Sequence, residues 1–294
     1  MMTRRDFLLW VRLLPGIGLM GRHKIWQFLQ ETQRQRMTLQ EIFTLTELSA
    51  DAQTKIRDAI RSGELRRVYN LVKQYSVVTL ADDAYPELLR EIAQPPLCLF
   101  FQGDFTLVNR ACVAIVGARE LTPYGQQVLA TWLPHLVSAQ LVTVSGLARG
   151  TDEAVHRGTM AHAGQTIAVI GTGVDVAYPK RRDNLQTQIS QQGLILSEYL
   201  PWEPPAKHHF PERNRIIAGL AQATVIVEAR QKSGSLITAN IALDENRVVM
   251  AVPGPVTSPL SAGTNALIVA GAIPLISPAQ ISPAQILAEY VNAW

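Results

Sequence analysis

The chain has 294 residues, 47% hydrophobic and 17% charged with no biased tract, which fits an ordinary globular protein and excludes fibrous, disordered and disulfide-scaffold classes. Its net charge of +3 is too small to argue for nucleic acid by itself. Two cysteines, Cys98 and Cys112, sit in apolar company, so buried thiols in a reducing compartment are expected rather than a bridge.

Taken in chain order, the first segment imitates a secretion signal: Arg4-Arg5 precede Phe7-Leu8-Leu9-Trp10-Val11. Arg12 breaks that apolar run, and no small-residue cleavage site follows. No later segment reaches the ~20 apolar residues of a membrane span, so a cytoplasmic protein without a membrane partner is expected. Residues 1–75 read as a small helical domain: Phe7, Leu8, Val11 and Leu14 recur at helical spacing before Pro15-Gly16-Ile17-Gly18 interrupts. Helical stretches follow at 25–29, 39–45, 50–62 (with Gly63 as a stop) and 65–75. Residues 76–110 read as a connecting segment leading into a sheet, with a short strand at 77–80 and an extended apolar run at 97–101.

From Ala111 to the end of the chain the period changes. Apolar runs at 113–116, 141–144, 167–170, 194–196, 224–227, 248–252 and 274–276 alternate with helical patterns at 125–137, 151–162, 184–191, 213–220, 236–244 and 265–269. Continuous β-branched runs alternating with helices predict an α/β fold, a doubly wound and mostly parallel sheet covered on both faces.

In such a sheet ligands bind outside the carboxyl ends of the strands. The segments that follow the strands are therefore the informative ones. They contain Gly117 and Arg119; Ser145, Gly146, Arg149 and Gly150; Gly173, Lys180 and Arg181; Phe210, Arg213, Asn214 and Arg215; and Lys232, Ser233, Gly234 and Ser235. Glycines let backbone N–H groups converge on an anion, and helix N-termini add positive potential. Residues 103–294 nonetheless hold 13 Lys/Arg against 13 Asp/Glu, so the signal lies in placement and not in bulk charge. One such loop suits one phosphate; a rim of several suits a polyanion, with Tyr178 and Phe210 available to stack on unpaired bases. Each feature also has an ordinary reading, as turn glycine, helix cap or loop anchor, and the functional reading rests on their conjunction.

Catalytic motifs are scarce in the chain. Gly171-Thr172-Gly173 lacks the third glycine of a dinucleotide fingerprint, and the P-loop, His-Glu-x-x-His, paired Cys-x-x-Cys and Gly-x-Ser-x-Gly patterns are missing. No cofactor and no metal are expected. Glu198 and Glu228 end strands and are able to orient arginines or contact sugar or base edges, but neither has an evident acid–base partner.

At these residues the sequence resembles the DNA-processing protein A (DprA/Smf) family. The resemblance rests on Gly117-x-Arg119 with Tyr124-Gly125, the run Ser145 to Asp152, Tyr178-Pro179-Lys180, Phe210-Pro-x-Arg213-Asn214-Arg215, Lys232-Ser-Gly-Ser235 and Gly263-Thr264-Asn265. The 13–18 hairpin is similar to those of helix-hairpin-helix and SAM-like domains. The resemblance implies an extended Rossmann-like domain that binds single-stranded DNA without sequence preference, forms homodimers and helps load the RecA recombinase during natural transformation; the missing catalytic motifs add the expectation that it is not an enzyme. It implies that Arg119, Lys180 and the Ser-Gly-Ser stretch line a phosphate pocket. Ala118, Thr151 and Arg182 depart from the usual Ser, Ile and Asn of the family, and the C-terminal winged-helix-like domain of many relatives is not expected here. The alternative is a Rossmann-like enzyme or sensor that binds a nucleotide or hydrolyses a nucleoside monophosphate; its Pro-Gly-Gly-x-Gly-Thr-x-x-Glu stretch is not present at 228–235.

Overall fold

The computed structural model describes residues 2–179 and 184–282. Five helices come first: α1 (Arg4–Leu13), α2 (Leu19–Glu31), α3 (Leu39–Thr46), α4 (Ala50–Arg61) and α5 (Glu64–Val72). Their starts are written locally. Thr3 and Asp6 form a capping box on α1, as do Thr38 and Glu41 on α3. Gly16, at φ +80°, turns the chain between α1 and α2 in a conformation that disfavours any side chain.

The remainder is a sheet with its crossovers: β1 (Val77–Thr79), α6 (Glu87–Arg90), β2 (Cys98–Gly103), β3 (Cys112–Val116), α7 (Pro123–Ser138), β4 (Val142–Ser145), α8 (Thr151–Ala161), β5 (Thr166–Val169), α9 (Leu185–Gln192), β6 (Leu194–Ser197), α10 (His209–Gly219), β7 (Ala223–Ile226), α11 (Gly234–Asp244), β8 (Val248–Ala251), α12 (Ala262–Val269) and β9 (Ile273–Pro274). The nine strands run in the order β1-β2-β6-β5-β4-β3-β7-β8-β9. Within it, β5-β4-β3-β7-β8-β9 reproduces the Rossmann order, so the expected doubly wound α/β fold is present.

Several bounds differ from expectation, as where the helix expected at 25–29 runs from Leu19 to Glu31, and two differences have a clear physical reason. Residues 76–110 do more than connect: β1 and β2 join the sheet antiparallel at the β6 edge, pairing Phe100 with both Val77 and Ser197. A segment of three and six residues flanked by turns carries too weak a period to reveal its partner. The helix expected at 213–220 begins four residues earlier, because Pro211 falls in its first turn, where the missing N–H costs nothing.

Two apolar clusters flank the sheet, and β3 shows how one strand feeds both. Ala114 and Val116 point into the larger cluster, while Val113 and Ile115 point into the other with Leu129, Trp132 and Leu136 of α7. The larger cluster is continuous with Phe7, Leu8 and Val11 of α1 and with Ile25 and Leu29 of α2. The helical unit therefore shares a core with the sheet. Cys98 and Cys112 are free and buried. Among the described residues no helix is long and apolar enough to cross a membrane.

Candidate nucleic-acid interface

The chain leaves β3 toward β4, β5 and β6, then crosses back over β3 to β7. The crevice of such a sheet opens at that reversal, outside the carboxyl ends of β3 and β7. Several helices begin along this rim, and their N-termini differ.

The N-terminus of α7 is already occupied by the protein's own anion. Thr122 caps the helix, and Glu228, 2% exposed at the end of β7, accepts from the Thr122 N–H (2.9 Å) and hydroxyl (2.6 Å). Gly125 makes room for it: a Cβ there would lie 2.5 Å from Glu228 Oε2. A carboxylate at the positive end of α7 satisfies the helix dipole and repels a second anion.

The N-terminus of α8 is closed as well. Gly150 precedes it at φ +80°, ψ −121°, and a Cβ there would sit 2.4 Å from the Ala118 carbonyl oxygen and 2.5 Å from that of Arg119. Thr151 donates both its N–H and its hydroxyl to the Ala118 carbonyl, and Glu153 N–H donates to Ala148. Asp152 folds back to accept from Ala148 N–H at 3.2 Å. Burial pushes the Asp152 carboxyl up, against the pull of Arg213, and the same burial pushes Arg213 down.

The N-terminus of α11 is open. Ser233 does not cap it; its hydroxyl instead meets that of Ser235 at 2.8 Å. The first turn carries no acidic residue, and Gly234 has nothing within 4 Å of where a Cβ would stand. Lys232 is exposed beside it, as are Arg119 after β3 and Arg149 after β4. A helix end with unspent donors, hydroxyls and nearby cations suits a phosphate. On the β5 side Tyr178, 40% exposed, lies against Phe210 with ring centroids 5.5 Å apart. Phe210 packs on Gly171, where a Cβ would come within 3.0 Å of the ring.

The structure redistributes the residues expected here. Gly117, Arg119, Arg149, Gly150, Phe210, Lys232, Ser233, Gly234 and Ser235 lie along the rim. Lys180 and Arg181 lie outside the described residues. The expectation that Arg213 and Arg215 present free charge does not hold. Arg213 is buried, its Nη1 donating to the carbonyls of Gly146 (2.6 Å) and Val169. Arg215 is buried against Glu198 (2.7 Å) and donates to Gln94. The physical reason is that α10 lies with this face over the strand ends, whose carbonyls need donors. Asn214 supports the rim by donating from its amide to the Gly234 carbonyl at 3.4 Å. Ser145 is likewise turned inward, donating to Ile115 at 2.7 Å. Gly146 and Gly173 are buried at close approaches, where a Cβ would strike the Arg213 guanidinium at 2.4 Å and the Leu200 carbonyl at 2.0 Å. Glu198 does orient an arginine: burial alone would raise its carboxyl, but Arg215, Arg22 and Arg12 hold it below the usual range. Among the described residues no group of His, Cys, Asp and Glu is arranged to hold a metal ion.

The family model for DNA recombination-mediator protein A matches residues 76–285. The chain belongs to this family. It is 44% identical to the DNA processing protein DprA of Streptococcus pneumoniae over 200 residues, covering 68% of this chain and 71% of that protein. The DprA of Bacillus subtilis is 37% identical over 234 residues, 75% of this chain and 79% of the relative. Among solved structures, the X-ray structure of S. pneumoniae DprA superposes with a TM-score of 0.85 at 35% identity, covering 97% of each chain. DprA from Helicobacter pylori, whose structure concerns its single-stranded DNA binding mode, superposes with a TM-score of 0.63 at 30% identity, covering 74% of this chain and 97% of that one. The match to S. pneumoniae DprA includes the helical unit; the family model begins one residue before β1.

Proposed function

We propose that this protein binds single-stranded DNA without sequence preference along the rim from Tyr178 to Ser235, and that as a homodimer in the cytoplasm it hands the strand to the RecA recombinase during natural transformation. The observation that carries the reading is the contrast between helix ends. The α7 terminus, after the first Rossmann strand where such a fold would hold a nucleotide phosphate, and the neighbouring α8 terminus are filled by Glu228 and by Asp152 with its loop carbonyls. The α11 end, after β7, has neither a side-chain cap nor an acidic residue in its first turn, and Lys232 is exposed beside it. This disfavours the nucleotide-hydrolase alternative and favours a backbone that passes over the rim, its bases meeting the Tyr178–Phe210 pair.

No step in this reading is catalytic. Exposed Arg119, Arg149 and Lys232 attract phosphates, the α11 N–H groups and serine hydroxyls donate to one, and the aromatic pair takes any base because every base has a π-face. The test is a titration of oligo-dT against duplex of equal length at several salt concentrations. Tighter binding of the single strand, weakening steeply with salt, is expected. Equal binding of duplex, a flat salt dependence, or hydrolysis of a nucleoside monophosphate would overturn it.

A further inference from the structure

We infer that Arg12 and Glu203 are positioning residues for the Tyr178–Phe210 pair, linking the helical unit to the rim; the functional half of this inference rests on the single-strand reading above. The contacts run in an unbroken series. Arg12, buried on α1, donates from Nη2 to Glu203 Oε2 at 2.7 Å and from Nε to the Glu198 carbonyl at 3.0 Å. The other Glu203 oxygen lies 3.5 Å from His209 Nε2. The opposite ring nitrogen of His209 meets the Gly171 carbonyl at 3.1 Å, and its ring stacks on Tyr199 at 3.8 Å. Gly171 is the floor on which Phe210 lies, and Phe210 in turn supports Tyr178.

Glu203 also acts through its backbone. Its carbonyl accepts from Gly173 N–H at 2.9 Å, and Asp175 N–H donates to Pro201 at 2.9 Å, so the loop after β5 is laid on the loop after β6. A second tie comes from the far end of the helical unit, where the Tyr75 hydroxyl donates to Asp175 at 2.7 Å. The aromatic pair thus stands on two loops whose shared hub is a carboxylate gripped from α1. A partly buried guanidinium–carboxylate contact of this kind fixes geometry, and removing Arg12 leaves Glu203 Oε2 with only the Leu200 N–H at 3.0 Å.

The experiment uses the full chain with Glu203→Gln, Arg12→Met, Arg12→Lys, Phe210→Ala and the Phe210→Ala/Glu203→Gln double variant. Two readouts are taken: affinity for oligo-dT and for an abasic strand of equal phosphate count, and amide exchange of residues 171–179 in the free protein. Wild type should prefer oligo-dT by about tenfold, the scale of one stacked base. Glu203→Gln and Arg12→Met should lose most of that preference while keeping abasic affinity within about twofold; Arg12→Lys should restore it, and the double variant should match Phe210→Ala. Exchange of 171–179 should quicken in both single variants. Unchanged exchange, or equal loss on both strands, overturns the positioning role. Quickened exchange in a protein whose wild type binds neither strand keeps the link and sinks the single-strand reading instead.

Discussion

Replacing Glu228 by Ala should both weaken the fold and create an anion site that wild type does not have. The carboxylate is 2% exposed and accepts two short bonds from Thr122 at the start of α7. Hydrogen bonds to a charged acceptor, together with the charge at a helix N-terminus, sum to about 2–4 kcal/mol once the Thr122 donors are left unpaired. For a domain of this size roughly 2–4 °C accompanies each kcal/mol, so the melting temperature should fall by about 5–15 °C. Phosphate or sulfate should then recover part of the loss, because an anion that binds only the folded variant stabilises it by mass action. The assay is thermal unfolding followed by circular dichroism, with and without phosphate, for wild type, Glu228→Ala and Glu228→Gln. A variant that melts within about 2 °C of wild type, or a phosphate effect of equal size in both, would refute the claim that this helix end is filled by the protein's own acid.

The other predictions concern separate parts of the molecule. Arg119→Ala and Lys232→Ala should each leave the melting temperature unchanged while weakening oligo-dT binding, and each lost phosphate contact should flatten the log–log salt slope by about 0.7. Arg213→Ala should do the reverse, costing about 3–5 kcal/mol in denaturant unfolding because Asp152 loses its buried partner. Burial pushes the Cys98 and Cys112 thiols up to about 12, so a thiol reagent at pH 8 should label neither until the protein unfolds; rapid labelling of the native protein would contradict this. Hydrogen bonds from the Tyr69 and Thr3 hydroxyls, aided by Lys73, hold the Asp6 carboxyl at about 2 against an ordinary 3.8. A depressed acid stabilises the fold above its unfolded value and loses that contribution as pH falls through the folded one. Melting temperature should therefore drop more steeply between pH 4 and 2 in wild type than in Asp6→Asn.

What was legible in the sequence were features that repeat locally. Apolar runs such as 113–116 and 248–252, each followed by a glycine or serine and a helical period, announce a buried parallel strand and its crossover without help from distant residues. Ser233-Gly234-Ser235 ahead of Leu236 announces a helix start for the same reason, though not whether its serines cap that helix or leave it open. The partnerships across the chain were not legible. Nothing in the spacing of Arg213 and Arg215 says that both guanidiniums turn inward, because that is decided by the carbonyls of Gly146 and Val169 and by Glu198, which come from three different crossovers. Glu228 looked like a crevice carboxylate, and its pairing with Thr122, 106 residues earlier, is set by the adjacency of β3 and β7. Glu203 carried no signal at all: it belongs to no motif, and its importance appears only when α1 is packed against the loop after β6.

The two margins of the sheet are sealed in different ways, and this restricts how the protein meets other chains. On β1 the outward Val77 carbonyl accepts from Arg5, the outward Thr79 N–H donates to Asp82, and the Thr79 carbonyl accepts from the Asp82 N–H, so most of its outward pairing groups are already engaged. On the opposite margin β9 is two residues long and ends in Pro274, which has no N–H to offer. Among the described residues both margins are poor templates for a further strand, which works against edge-to-edge stacking. Val269 and Ile276, beside β9, are 90% and 75% exposed, so what this margin offers a neighbour is apolar side chain and not backbone.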